Sequence, residues 1–155
     1  MVLVHNTMIR GLNSIYHQAP NIKEAKDAAD FILYMSSWSL MLHAHHHSEE
    51  TLAFPMLNKY TGIEGYMDKN VAQHRLFEPG LEAFDKYVAA LKTGEEKYDG
   101  KKVCTLIDGF GEILVSHLTA EIGTLEELEQ FNDKIDWVTY NKAIQKEAVD
   151  EGDTV

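Results

Sequence analysis

Four histidines and two glutamates fall within eight consecutive positions, His43 to Glu50, inside a stretch that otherwise reads as a buried helix. Imidazoles and carboxylates taken out of water without partners cost several kcal/mol. A metal ion satisfies both kinds of group at once. The rest of the chain supplies more donors of the same type. His5 stands alone near the start, His74 is followed by Glu78, and His117 is followed by Glu121. A spacing of four residues puts both members of such a pair on one face of a helix.

Placing each residue at about 100° per position tests which of these groups face inward. His5 falls in the middle of the stripe Met8, Ile9 and Leu12. His45 and Glu49 lie near the centre of the stripe Phe31, Tyr34, Met35, Trp38, Leu42, Leu52, Ala53 and Met56, while His46 and Glu50 lie at its edge as the alternative pair. His43 and His47 point away, and His17 falls off its stripe. His74 and Glu78 sit between Val71 and Leu81, and His117 and Glu121 sit among Leu114, Leu118, Ile122 and Leu125. One buried histidine is usually a hydrogen-bonded core residue, and one such His–Glu pair is usually a solvated helix pair. Four helices repeating the feature would need four unrelated excuses.

The candidate ligands are therefore His5, His45, Glu49, His74, Glu78, His117 and Glu121, with the role of Glu78 left open. Four imidazoles and three carboxylates exceed the closed tetrahedron of a structural zinc. They suit two cations bridged by carboxylates, and a set without thiolates favours iron, with manganese or zinc possible.

These groups need long helices to hold them. Glycine and proline leave four helical windows: residues 2–18 with Val4, Met8, Ile9, Leu12, Ile15 and Tyr16 inward; a second, capped by Asp27, running to Thr61-Gly62 with Pro55 kinking or ending it; a third from near Glu64 to Thr93-Gly94; and a fourth from Asp99-Gly100 through Val103, Leu106, Ile107, Phe110, Ile113, Leu114 and on to Leu128. Trp137, Tyr140, Ile144 and Ala148 mark a shorter C-terminal helix. No window alternates with period two. The reading is all-α: an up-down antiparallel four-helix bundle with a short extra C-terminal helix, one domain over residues 1–150 and a frayed tail at 151–155.

At 155 residues, 45% of them hydrophobic, the chain can bury a core without staples. A net charge of −11 argues against nucleic acid and anionic membranes as partners. The single cysteine, Cys104, excludes an internal disulfide and an iron–sulfur cluster and reads as a small filler. With neither a signal peptide nor a membrane-length apolar run, a soluble cytoplasmic protein is expected.

The pattern resembles the hemerythrin-like, or HHE cation-binding, domain family over about residues 5 to 130. The resemblance rests on HNTMIRGLNSIY from His5, HHHSEETLAFPML from His45, AQHRLFEPGL around His74 and SHLTAEIGTL around His117. It implies a non-heme di-iron centre held by His5, His45, Glu49, His74, His117 and Glu121, with Glu49 and Glu121 bridging. Two departures, Glu78 where oxygen-carrying members have a second histidine and Glu121 four rather than five residues after His117, argue against reversible oxygen carriage. The expected function is reduction of dioxygen or peroxide at the metal pair, with a small organic substrate and a homodimer as further expectations. Tyr16, Tyr34 and Trp38 are placed to donate an electron or simply to pack. The alternatives are a non-catalytic module that stores or senses iron or oxygen, and a bundle merely stapled by zinc.

Overall fold

Helix ends follow the glycines and prolines, with two informative exceptions. The computed structural model describes residues 1–152, with side chains through residue 149. Helix α1 spans Val2–Gln18 and tightens into a 3-10 turn, Ala19–Asn21, that takes Pro20 in its first turn. Helix α2, Ala25–Ser48, starts after Glu24 without a side-chain cap. Asp27, expected as the cap, is inside the first turn, where its charge favours the helix dipole instead.

The first exception lies at Pro55. Proline lacks an N–H and its ring crowds the carbonyl four residues back. The helix does not end there. It widens into a π-helical turn, Glu49–Ala53, in which the Phe54 N–H reaches the Glu49 carbonyl, and then resumes as α3, Phe54–Thr61. The extra residue shifts the phase of everything after it. The buried positions are Ala53, Phe54 and Leu57, where an uninterrupted helix would bury Leu52, Ala53 and Met56.

Gly62 closes α3 at φ 73°, and Gly65 turns the chain at φ 72° before α4, Asp68–Thr93, which therefore begins later than Glu64. The second exception is at Gly109-Phe110, where the fourth window divides into α5, Gly100–Asp108, and α6, Gly111–Glu126. Asp99 caps α5 by accepting the Lys101 and Lys102 N–H groups. The change of phase turns Ile113 outward, so it is exposed. A 3-10 turn, Glu127–Phe131, leads to α7, Trp137–Gly152. Residues 151 and 152 are the last of α7, and 153–155 lie outside the described residues.

The described residues are all-helical. Helices α2 and α4 run in opposite directions. Lys92 meets Ser36 at one end of the α2–α4 pair, and His74 meets Glu50 at the other. Trp38 donates to the Met8 carbonyl across α1 and α2, and packs on Phe84 of α4 and Phe110 before α6. Gly80 allows α4 to approach that point closely, because a Cβ there would lie 2.7 Å from the Phe110 Cβ. No single helix among those described is long and apolar enough to cross a membrane.

The apolar core is in two parts. The larger joins α1, α2, α4, α5 and α6 around Met35, Leu42, Phe77, Phe84 and Leu114. The smaller joins the π turn, α3 and α7 around Phe54, Leu57, Met67 and Leu128. In sequence Glu49, His74 and Glu121 fall between residues of the two clusters, and His5 stands just before Met8 of the larger; all four are buried. A polar layer separates the two clusters.

Candidate metal centre

Each helix brings its donors to that layer from a different direction. The groups form two sets whose ligand atoms all lie within 4.8 Å of one another: His46, Glu49, His74 and His117, and His5, His45, Glu49 and Glu121. Glu49 belongs to both. The donors are five imidazoles and two carboxylates.

The outer nitrogens are held first. His5 Nδ1 donates to the Leu118 carbonyl at 2.8 Å, His74 Nδ1 to the Glu50 carboxylate at 2.6 Å, and His117 Nδ1 to the Gln73 amide oxygen at 3.1 Å. Each partner accepts, so a ring proton sits on Nδ1, and in the neutral ring Nε2 carries a lone pair. His74 Nε2 and His117 Nε2 nevertheless face each other at 3.0 Å. Two lone pairs at that distance repel unless an electrophile lies against both. A metal–nitrogen bond of about 2.1 Å puts adjacent donors of a six-coordinate ion about 3 Å apart. His5 Nε2 and His45 Nε2, at 3.1 Å, repeat the spacing in the second set.

The carboxylates make the same demand. His45 Nε2 approaches Glu49 Oε1 at 2.9 Å, and His5 Nε2 approaches Glu121 Oε2 at 3.3 Å. Yet both oxygens of Glu49, both of Glu121 and His46 Nε2 are buried without a hydrogen bond. Buried polar atoms are rarely left so. Five orphaned atoms around one centre fit divalent cations, and a donor set of imidazole and carboxylate fits iron, manganese or zinc.

The Hemerythrin HHE cation binding domain matches the chain over residues 1–136. The chain belongs to this hemerythrin family. A relative, the "Dimeric xanthone biosynthesis cluster protein R11" of Cryptosporiopsis sp. (strain 8999), is 37% identical over 131 residues, which are 84% of this chain and 49% of that protein. This hemerythrin chain spans about half the length of the curated relative that it matches. No solved structure matches it significantly.

Of the residues expected from the sequence, His5, His45, Glu49, His74, His117 and Glu121 come together in the hemerythrin layer. Glu78 does not. It is exposed on α4, toward His43, and its field helps to raise the His43 imidazole behind the larger effects of Asp85. The pair spacing puts both on one side of α4, but Glu78 lies a turn further along and is exposed, so only His74 reaches the layer. His46, read as the edge alternative to His45, is also brought in, so both are used. Successive residues differ by about 100°, and a helix facing two sets of donors can serve one with each. Glu50 is not in either set, but it anchors His74 from outside.

The electrostatics follow from burial. Burial, with His74 beside it, lowers the His46 imidazole to about 2, and burial and His74 lower His117 to about 3. Both rings are neutral and nucleophilic throughout the ordinary pH range. Burial and then the neighbouring Glu49 raise Glu121 to about 9. Burial acts on Glu49 in the same sense, but contacts with His45 and His5 outweigh it and hold Glu49 below the usual carboxylate range. Without metal, the pair behaves as one ionised and one protonated carboxylate.

The three aromatics expected near the layer lie elsewhere. Trp38 is in the larger core, Tyr34 is exposed, and Tyr16 faces Asp108. Phe77 packs on His46, His74 and His117, and Phe54 stacks on His74. Tyr140 of α7 approaches from the other side. Burial, and then Glu49 and Glu121, push its hydroxyl well above its ordinary value. Cys104 is partly buried, donates to the Tyr16 carbonyl and takes no part.

Proposed function

We propose that this hemerythrin domain is a non-heme di-iron oxidoreductase that binds and reduces dioxygen or peroxide. In this reading the helices form an up-down four-helix bundle with α7 lying across it. His46, His74 and His117 would hold one iron and His5, His45 and Glu121 the other, with Glu49 available to both. The observation that carries the reading is the pair of Nε2 atoms of His74 and His117 facing each other at 3.0 Å, beside buried carboxylate oxygens without a hydrogen bond.

Bound iron supplies Lewis acidity and electrons to an oxidant. The chain supplies the rest. Outer hydrogen bonds from Leu118, Glu50 and Gln73 fix the imidazole tautomers. The two apolar clusters flank the layer, and the Tyr140 hydroxyl retains its proton near Glu49 and Glu121. The relative from Cryptosporiopsis bears a name from dimeric xanthone biosynthesis. For this chain we take from it only the expectation that an organic substrate accompanies the oxidant.

Anaerobic reconstitution of apoprotein with ferrous iron, followed by metal counting and visible spectroscopy on admission of oxygen, tests the reading. Two irons per chain and an absorption band that converts irreversibly support it. One iron or none, or a colourless protein that prefers zinc, would overturn it. A band that reverses under vacuum would replace oxidant reduction by reversible oxygen binding.

A further inference from the structure

A cavity of about 540 Å³ opens beside the His45 edge of the layer. Its walls come from three helices: Val4 and Met8 from α1, Leu40 and Met41 from α2, and Tyr140 and Ile144 from α7. His45 and Glu49 line it as well, and Glu49 is only 2% exposed, so the cavity reaches from the surface to a residue shared by both donor sets.

Val4 and Met41 explain why the space exists. Both belong to apolar stripes that should have closed α1 against α2, yet they are 43% and 37% exposed. Leu40 beside them is 51% exposed. The two helices meet firmly at Met8 and Trp38 and leave a gap toward their metal-centre end, with α7 as a third wall instead of a plug. The cost of leaving these side chains uncovered is recovered when something apolar fills the gap.

Size and chemistry select the occupant. A water-sized molecule takes about 30 Å³, so the cavity exceeds what a diatomic oxidant needs by an order of magnitude. Its volume falls within the range of roughly 300–1,000 Å³ typical of sites for drug-sized ligands. No lysine or arginine side chain lines it, and the Met1 ammonium at its wall is offset by the ionised Glu49, so a phosphate, sulfonate or carboxylate would find no net positive charge there. The Tyr140 hydroxyl makes no hydrogen bond among the described residues, and Ser37, Ser48 and Asn141 offer a few further polar contacts. Methionines Met8 and Met41 supply adaptable walls.

We propose that the gap between α1, α2 and α7 is the binding site for a neutral, predominantly apolar organic substrate, held with one end against His45 and Glu49. The placement of that end at reactive metal rests on the di-iron reading; the binding site itself does not.

The test uses the full chain, loaded with zinc so that no turnover occurs, and 2-naphthol as a fluorescent neutral probe. The charged isologue 2-naphthalenesulfonate is the control. Saturable binding of one naphthol per chain, weakened at least tenfold by Ile144→Trp or Leu40→Trp with zinc content unchanged, is the expected result. Two filling variants on different helices are used so that a folding failure in one leaves the other to decide. Absence of saturable binding by the wild-type protein, or binding indifferent to both variants, would overturn the proposal. Equal affinity for the sulfonate would overturn its neutral-ligand part. Naphthol affinity that falls as the chain self-associates over a hundredfold concentration range would assign the gap to a second copy. Intact naphthol binding with fewer than two metals per chain would sink the di-iron reading and leave the substrate site standing.

Discussion

Stripped of its metal, the protein should be most stable near pH 6.5 and weaker by about 3 kcal/mol at pH 9, and Glu121→Gln should abolish that loss. The reasoning starts from Glu121, raised to about 9 by burial and by Glu49. Between an ordinary carboxyl value and that figure, the folded chain keeps a proton that the unfolded chain has released. Stability therefore falls as pH rises, by about 1.4 kcal/mol per unit. Below pH 6.5 the histidines hide this. His46 and His117 are lowered to about 2 and 3, so there the unfolded chain takes up protons that the folded one refuses, and stability rises with pH. Above the ordinary histidine value both rings are neutral in both states, and of these three groups only Glu121 remains to titrate. About 2.5 units of pH then give about 3 kcal/mol. The glutamine keeps the shape of Glu121 and has no proton to release. Urea denaturation with a chelator present, followed by circular dichroism at pH 6.5, 7.5 and 9 for both proteins, reads the difference directly. Parallel profiles, or wild-type stability still rising through pH 8, would refute the shared-proton description of the buried carboxylates. With metal bound, the cation takes the proton's place and the wild-type slope should flatten.

Three other outcomes are expected. Glu78→Gln should leave the metal count and affinity unchanged by competition titration, because the side chain is exposed outside both donor sets, whereas His46→Ala should lower the count. Glu50→Gln removes the charged anchor of His74 Nδ1 and should weaken metal binding by roughly 10–100-fold, measured against a chelator of known affinity. Gly100→Ala would set a Cβ 2.0 Å from the Ala19 carbonyl oxygen, where α5 abuts the turn after α1. Relieving that overlap should cost about 3 kcal/mol and lower the melting temperature by roughly 10 °C.

What could be read from the sequence was what regular helix geometry governs. His5, His74, His117 and Glu121 sit on unbroken α-helix, and their position on the apolar face follows from counting residues. Capping by Asp99 and the stops at Gly62 and Gly94 follow from local backbone chemistry. The misreadings occur where geometry departs from the regular helix or a partner lies across the fold. Leu52 and Met56 were placed inward because a proline was expected to kink or end the helix, and it widened the helix instead. Ile113 was placed inward because the division at Gly109-Phe110 resets the phase. Glu78 satisfied the pairing rule, which says that two side chains share a face but not that both reach the same point. Gln73 and Glu50, which hold the back of His117 and His74, carry no local signal, since their roles depend on which helices are neighbours.

The π-helical turn has a consequence for how this segment is compared with others. It sits between Glu49 and the apolar anchors Phe54 and Leu57, and it advances the numbering by one residue relative to the helix face. The stretch is thus two short words written in different reading frames, His45-His46-His47-Ser48-Glu49 in one and Phe54-Pro55-Met56-Leu57 in the other. A template of fixed spacing laid across both will match one word and misplace the other by a third of a turn. A homologue that loses a residue between Glu49 and Phe54 would keep both words and bring them into one frame. Its ligands would look identical in a list, while the layer they enter would be cut from a straight helix.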